Sequence, residues 1–347
     1  MKKIRVNTSR PYDVVIERGC ISRCGELISD VLPSKKAVII SDDNVAPLYA
    51  DTVLNSLKNC GISADLFVFP HGEQSKNLST LSNIFDFLCE KGITRSDFLI
   101  ALGGGVVGDI TGFAAASFLR GIEFVQIPTS LLAQIDSSVG GKTAVDIKGG
   151  KNLVGAFKQP TLVVCDSNTL STLTPEFLAD GMGEAIKYGM IRDSRLFDLI
   201  AAHQLSDIDE VMDEMVYACI DIKRIVVEHD ELDKGERMIL NFGHTIGHAI
   251  EAWHNYTGIT HGMAVAAGMC IITRRFADKA IASRLEECVK KYGLPTGSDA
   301  PMSELLPFCS KDKKREAASI SYIVCPEIGD AQIRKVTVAE FDSLMEG

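Results

Sequence analysis

The chain predicts a two-domain protein. An α/β, Rossmann-like nucleotide-binding domain is expected over residues 1–172, and a mainly α-helical, metal-binding domain over residues 173–347. Three observations carry that reading. Short apolar runs alternate with helical segments through the first half, a glycine-rich turn follows one of those runs, and beyond Thr172 the pattern becomes long helical periodicity with a cluster of histidines.

In order, Lys36 to Ser41 reads as a buried strand, with a helix after Asp42-Asp43-Asn44 running to about Leu57. Ala64 to Phe69 is a second strand, ended by Pro70, and Leu78 to Cys89 repeats apolar residues at helical spacing. Asp97 to Leu102 is a third strand, leading through Gly103-Gly-Gly-Val-Val-Gly108-Asp109 into a small-residue helix that ends near Phe118. Phe124 to Ile127 and Leu162 to Cys165 read as further strands. Strands and helices in alternation make a parallel sheet covered on both faces. Pro175 suits the first turn of a helix, so the second domain is expected to open there. Few strand candidates follow before Ile320 to Val324.

Composition narrows the function. A formal charge of −10, from 36 Lys and Arg against 46 Asp and Glu, argues against nucleic acid as the main partner. The longest apolar runs fall short of the ~18 residues a membrane span needs, and no signal peptide is visible at Met1. The ten cysteines form no C-x-x-C pair, and most sit in apolar contexts. Reduced, packed thiols in a cytoplasmic protein are therefore expected.

The chemistry concentrates in four places. In the run 103–109, glycines after a strand allow backbone N–H groups to approach a pyrophosphate at a helix N-terminus; close helix packing selects the same small residues. The spacing is G-G-G-x-x-G rather than the usual fingerprint, and a candidate ribose carboxylate, Asp42, precedes it. The stretch Asp136 to Asn152 gathers Lys142 and Lys151 on a glycine-rich hairpin, suited to an anion or simply solvated. Glu184 and Lys187 lie i, i+3 on one helix face, which alone is an ordinary surface pair. Finally, His244, His248 and His261 fall within eighteen positions in apolar surroundings. An i, i+4 pair stacks on one helix face, with Asn241 at i−3 expected to join it, and imidazoles in such a cluster point to a metal.

Together these motifs resemble the 3-dehydroquinate synthase family, among the sugar-phosphate cyclases. The likeness runs in order through Ser41-Asp-Asp-Asn44, His71-Gly-Glu-Gln-Ser-Lys76, residues 103–109, Phe118-Leu-Arg-Gly121, Pro128-Thr-Ser130, residues 136–152, Glu184-Ala-Ile-Lys187 and residues 241–251. The resemblance implies metal ligands Glu184, His244 and His261, for zinc or cobalt, which replaces the His244/His248 pairing that spacing alone suggests. It makes His248 a proton-handling group. It implies NAD contacts at Asp42, Asn44, Glu73, Lys76, Gly104, Gly105, Val106, Asp109, Thr129, Ser130, Lys142, Lys151, Thr169 and Thr172. Substrate contacts are implied for Arg120, Asp136, Lys142, Asn152, Lys187, Lys223, Arg237, Asn241 and Lys314, the last favoured over Lys313. Asp233, standing where the family commonly has glutamate, is implied as a proton acceptor.

The activity the resemblance implies is conversion of 3-deoxy-D-arabino-heptulosonate 7-phosphate to 3-dehydroquinate and phosphate, by transient oxidation, phosphate elimination, reduction and intramolecular aldol closure. It also implies a homodimer. Three rivals stand beside it: another sugar-phosphate cyclase, a metal-dependent NAD alcohol dehydrogenase, and a non-catalytic nucleotide-binding module.

Overall fold

A computed structural model describes residues 1–309 and 319–346. The chain divides into two compact units, residues 1–173 with 223–232, and residues 174–222 with 233–347.

The first unit is built on a seven-stranded sheet. Its strands are β1 (Lys2–Val6), β2 (Tyr12–Ile16), β3 (Lys36–Asp42), β4 (Ser63–Phe69), β5 (Phe98–Gly103), β6 (Glu123–Pro128) and β9 (Leu162–Cys165), in the order β1-β2-β9-β6-β5-β3-β4. Between β6 and β9 the chain forms a separate antiparallel hairpin of β7 (Lys142–Ile147) and β8 (Gly150–Phe157). All pairings in the large sheet are parallel except β1 with β2. Neither β1 nor β2 is among the strands read from the sequence. They extend the sheet beyond β9, and every residue of β2 is buried.

Alternation along β3 shows why this sheet needs helices on both faces. Ala37 and Ile39 point into one core with Val53 and Leu57 of α2 (Ala46–Asn59) and Ile28 of α1 (Cys24–Ser29). Val38 and Ile40 point into the other, with Ile84 and Leu88 of α3 (Leu78–Glu90) and Ile110 and Ala114 of α4 (Gly105–Ser117). Counting only β3, β4, β5, β6 and β9, the order is the 2-1-3-4-5 of a doubly wound sheet. Its switch point lies between β3 and β5. Ligands in such sheets bind at the carboxyl ends of the strands flanking that point, here Asp42 and Gly103.

The second unit is mainly helical: α5 (Pro175–Arg192), α6 (Ser194–Ala202), the start of α7 (Met212–His229), α8 (His244–Trp253), α9 (His261–Phe276), α10 (Lys279–Lys291), α11 (Met302–Cys309) and α12 (Val338–Glu346). A hairpin of β10 (Ser319–Glu327) and β11 (Asp330–Thr337) completes it. Pro175 occupies the first turn of α5, and the Thr174 hydroxyl accepts from the Phe177 N–H as N-cap. No helix among the described residues is long and apolar enough to cross a membrane. All ten cysteines are free, and six of them are pushed up in pKa chiefly by burial.

Candidate active site

In the first unit, the glycines of the 103–109 turn divide between two jobs. A Cβ on Gly103 meets the Val107 side chain at 2.6 Å, and one on Gly108 meets Gln126 Oε1 at 2.8 Å, so these two serve close packing. Gly104 and Gly105 face only the Ser130 and Ser137 hydroxyls, at 3.4 and 3.2 Å. The first N–H groups of α4 lie there without intrahelical acceptors.

Asp42 ends β3, and its Oδ1 accepts from the N–H groups of Asn44 and Val45, both at 2.9 Å. Thr129 is tied to the same end of the sheet by its N–H on the Gly103 carbonyl, 3.0 Å. Thr169, implied by the resemblance as a cofactor contact, stands on the loop after β9. It is buried, donating its hydroxyl to the Asp166 carbonyl at 2.8 Å and accepting from Gln134 Nε2 at 3.1 Å, so it braces a loop from inside. Thr172 is exposed and shares a 2.7 Å hydrogen bond with the Tyr49 hydroxyl.

Lys76 organises the neighbouring residues. Its buried ammonium lies 2.6 Å from both Asp109 Oδ2 and Asn152 Oδ1, and 3.8 Å from Glu73 Oε1. Burial alone lowers the pKa of this amine, but the Asp109 and Glu73 carboxylates outweigh it and hold the amine above its ordinary value. The Lys76 carbonyl accepts from the Asp146 N–H at 2.7 Å, and Asp146 Oδ1 accepts from the Asn152 N–H, also at 2.7 Å. Asn152 holds a left-handed φ of 57° to make these contacts. The β7–β8 hairpin, carrying Lys142 and Lys151, is thus pinned to the 71–77 loop rather than freely solvated.

Lys142 is exposed at the start of β7, and Lys223 is buried, donating to the Asp136 carbonyl at 2.6 Å and paired with the Asp136 carboxylate. Arg120 is exposed in a tight turn where Leu119 and Arg120 both take left-handed φ, 51° and 67°.

In the second unit the three helices α5, α8 and α9 bring Glu184, His244 and His261 together, with ligand atoms all within 4.8 Å of one another. Glu184 Oε1 is 3.5 Å from His244 Nε2 and 3.7 Å from His261 Nε2. Ligand bonds of about 2.0–2.1 Å at tetrahedral angles separate neighbouring ligand atoms by roughly 3.3–3.4 Å. The spacing and the donor set, one carboxylate and two imidazoles, therefore fit a zinc-like cation with an open position. The other carboxylate oxygen of Glu184 pairs with Lys187, and both side chains are 1% exposed. What reads in the sequence as a surface pair is fully buried.

His244 donates from Nδ1 to the Phe242 carbonyl at 3.1 Å, which leaves Nε2 to present its lone pair toward Glu184. Burial, then the Lys187 cation and the two neighbouring imidazoles, holds its pKa well below the ordinary histidine value, as a neutral ligand requires. His261 is lowered by burial but raised more by Glu251 and Glu184, to about 9. His248 is exposed on α8, its ring centroid 5.3 Å from that of His244 and 5.9 Å from that of His261.

One expectation is corrected. Asn241 does not lie on the helix face of His244 and His248. It ends a separate 3-10 turn, Glu236–Asn241, and Gly243 breaks the chain with a φ of 79° before α8 begins. Arg237 is buried on that 3-10 turn, and Asp233 is half-buried, with a left-handed φ of 56°. Lys313 and Lys314 lie outside the described residues.

Sequence reasoning missed the means of convergence. A Cβ on Gly262 meets the Asp180 carbonyl at 1.9 Å, and one on Gly183 meets the Gly262 carbonyl at 2.5 Å, so α5 and the start of α9 touch backbone to backbone. Buried Asp180, one turn before Glu184, accepts the Gly262 N–H at 2.5 Å. Gly262→Ala is expected to push His261 away from Glu184. Metal content should fall at least tenfold and the melting temperature should drop, as overpacking of a tight site costs about 1–3 kcal/mol. A variant that melts and binds metal like the parent would show that this close approach does not set the site.

A doubly wound α/β unit and a helical unit that gathers one carboxylate and two imidazoles within reach of a single cation define the class of fold and candidate site. Residues 66–180 match the family described as 3-dehydroquinate synthase N-terminal, and residues 181–315 match its C-terminal counterpart. The chain is 47% identical over 338 residues to the 3-dehydroquinate synthase of Clostridium acetobutylicum, covering 95% of this chain and 94% of that one. It is 44% identical to that of Streptococcus suis, covering 97% and 98%. Among solved structures, 2-deoxy-scyllo-inosose synthase complexed with carbaglucose-6-phosphate, NAD+ and Co2+ matches with a TM-score of 0.87 at 25% identity over the whole of both chains. An iron-containing alcohol dehydrogenase matches with a TM-score of 0.68 at 15% identity over 96% of each chain, a likeness of fold alone. The chain belongs to the 3-dehydroquinate synthase family.

Proposed function

We propose that this protein is a 3-dehydroquinate synthase, a carbon–oxygen lyase that turns 3-deoxy-D-arabino-heptulosonate 7-phosphate into 3-dehydroquinate and phosphate in the shikimate pathway of aromatic amino-acid biosynthesis. The observation that carries this reading is family membership over nearly the full chain, and the approach of Glu184, His244 and His261 to within reach of one cation supports it. When bound, NAD supplies a hydride acceptor that returns what it takes, and a divalent cation supplies a Lewis acid for the oxygen at the carbon being oxidised.

The chain's own residues bind and orient. Glu184, His244 and His261 hold the zinc or cobalt, with Lys187 keeping the second Glu184 oxygen occupied. Asp42, Asn44, Glu73, Lys76, the 104–106 turn, Asp109, Thr129, Ser130 and Lys151 form the cofactor surface of the first unit. By the family resemblance, Arg120, Lys142, Asn152 and Lys223 of the first unit, and Lys187, Arg237 and Asn241 of the second, are the residues assigned to the substrate's phosphate, carboxylate and hydroxyls. His248 handles a proton at an imidazole nitrogen, and its exposure on α8 keeps that ring open to exchange. Most of the rate enhancement is then orientation and charge stabilisation. A homodimer in the cytoplasm completes the reading.

The test is steady-state turnover with NAD at trace level. Phosphate release should continue for many turnovers per NAD, with no steady growth of NADH absorbance, because the cofactor ends each cycle as it began. NADH accumulating one for one with substrate loss would favour the alcohol dehydrogenase class instead. Tight NAD and metal binding with no phosphate release would make the chain a non-catalytic relative.

A further inference from the structure

The metal ligands proposed above leave one buried carboxylate unused. Glu251 lies on α8, seven residues after His244 and three after His248, on the same face of the helix. It is 6% exposed, and its Oε2 is 3.4 Å from Nδ1 of His261. The opposite nitrogen of that ring, Nε2, faces Glu184 Oε1 at 3.7 Å. His244 has the same arrangement, with Nδ1 on the Phe242 carbonyl and Nε2 toward Glu184. Each imidazole thus turns Nδ1 outward to an acceptor and Nε2 inward to the shared carboxylate.

A second three-residue group, His248, Glu251 and His261, also lies within ligand reach and shares His261 with the first. Glu251 is therefore either a ligand in that group or the acceptor that orients His261 for the other. Two observations favour the second role. The Glu184 group offers two inward Nε2 atoms and a buried carboxylate, whereas the alternative depends on exposed His248. In addition, Glu251 meets Nδ1 of His261, the nitrogen that faces away from Glu184.

We propose that Glu251 is a positioning residue for the metal site: by accepting the Nδ1 proton of His261, it fixes the tautomer that aims the Nε2 lone pair at a cation held with Glu184 and His244. The inference rests on the metal reading of the proposed function. An ionised carboxylate only accepts hydrogen bonds, so the proton it holds is the one on Nδ1, and the proton a cation displaces is the one on Nε2. Outer carboxylates of this kind also raise the basicity of the ligand, and their loss weakens metal binding by about 10–100-fold.

The experiment measures Zn2+ affinity of the full chain by competition with a chromogenic chelator, alongside the visible spectrum of the Co2+-loaded protein. Glu251→Ala should bind zinc about 10–100-fold more weakly. Glu251→Gln, whose amide oxygen still accepts from Nδ1, should recover part of that loss. Both should still take one ion per chain at saturation, with the wild-type Co2+ band positions, and metal-free Glu251→Gln should melt like metal-free wild type. Variants that bind zinc as tightly as a metal-binding wild type would overturn the inference alone. So would loss of stoichiometric binding by Glu251→Gln matched by His248→Ala, which makes Glu251 a ligand. A wild type that binds no divalent metal would overturn the metal reading and this inference with it.

Discussion

Glu184→Gln, His244→Ala and His261→Ala are each expected to lose the bound divalent cation and at least about 10³-fold in turnover, since a Lewis acid supplies several kcal/mol of transition-state stabilisation. His248→Ala should keep the metal and turn over slowly, because its ring stands beside the ligand atoms of the Glu184 group without belonging to it. Glutamine suits position 184 better than alanine. Lys187 is buried against the Glu184 carboxylate, with its ammonium also 5.0 Å from the centre of the Tyr188 ring. Glutamine loses the charge but keeps an oxygen that can accept from Lys187; alanine removes both, and breaking a buried pair in this way is destabilising by about 3–5 kcal/mol, which confounds metal loss with unfolding. The measurement is metal content by elemental analysis beside helicity by circular dichroism. Should His248→Ala lose metal while His261→Ala keeps it, the helical i, i+4 pair is the true ligand set.

The sequence made the crossovers of the first unit legible because each element there announces itself locally. β3, β4 and β5 are apolar runs, α3 repeats its apolar positions, and a glycine turn separates β5 from α4. The strand order was not legible, since nothing local in β3 says that it pairs with both β4 and β5. β1 carries two lysines and an arginine in five residues, and β2 a tyrosine and an aspartate, so neither shows a clean apolar run. Asp13 in β2 explains its own burial through Lys3 and Arg5 on β1, at 2.8 and 3.2 Å.

The metal site divides the same way. His244 and His248 are visible as a helical pair, but their relation to Glu184 spans 60 positions and depends on backbone contact at Gly183 and Gly262. Periodicity carries no information about such contacts, and resemblance to a family supplied it. The misplacement of Asn241 has one cause. Helical spacing was extended through Gly243, whose left-handed φ starts a new helix. Asp180 and Glu251 passed unremarked because an acidic residue on a helix is usually solvated, and only the fold shows these two buried beside His261 and Gly262.

Lys142→Ala is expected to lower turnover by about 10²–10³-fold while leaving NAD affinity within about twofold of wild type, the size of loss seen when a preorganised charge-stabilising donor is removed. The expectation follows from where the lysine stands. It opens β7, exposed and paired in register with Phe157, on a hairpin held by the Asp146–Lys76 and Asn152–Lys76 contacts. A rigid support matters because a flexible lysine loses much of its interaction energy in ordering four rotatable bonds. Lys76 differs in kind. Buried between Asp109 and Asn152, it gives two of its three ammonium hydrogens to the support itself. Charge on the substrate grows as phosphate departs, so a cation placed for that charge acts on kcat more than on ground-state binding. Direct titration of NAD, with kcat and KM for the heptulosonate phosphate measured separately, distinguishes the roles. An NAD affinity that falls in step with turnover would transfer Lys142 from the substrate surface to the cofactor surface.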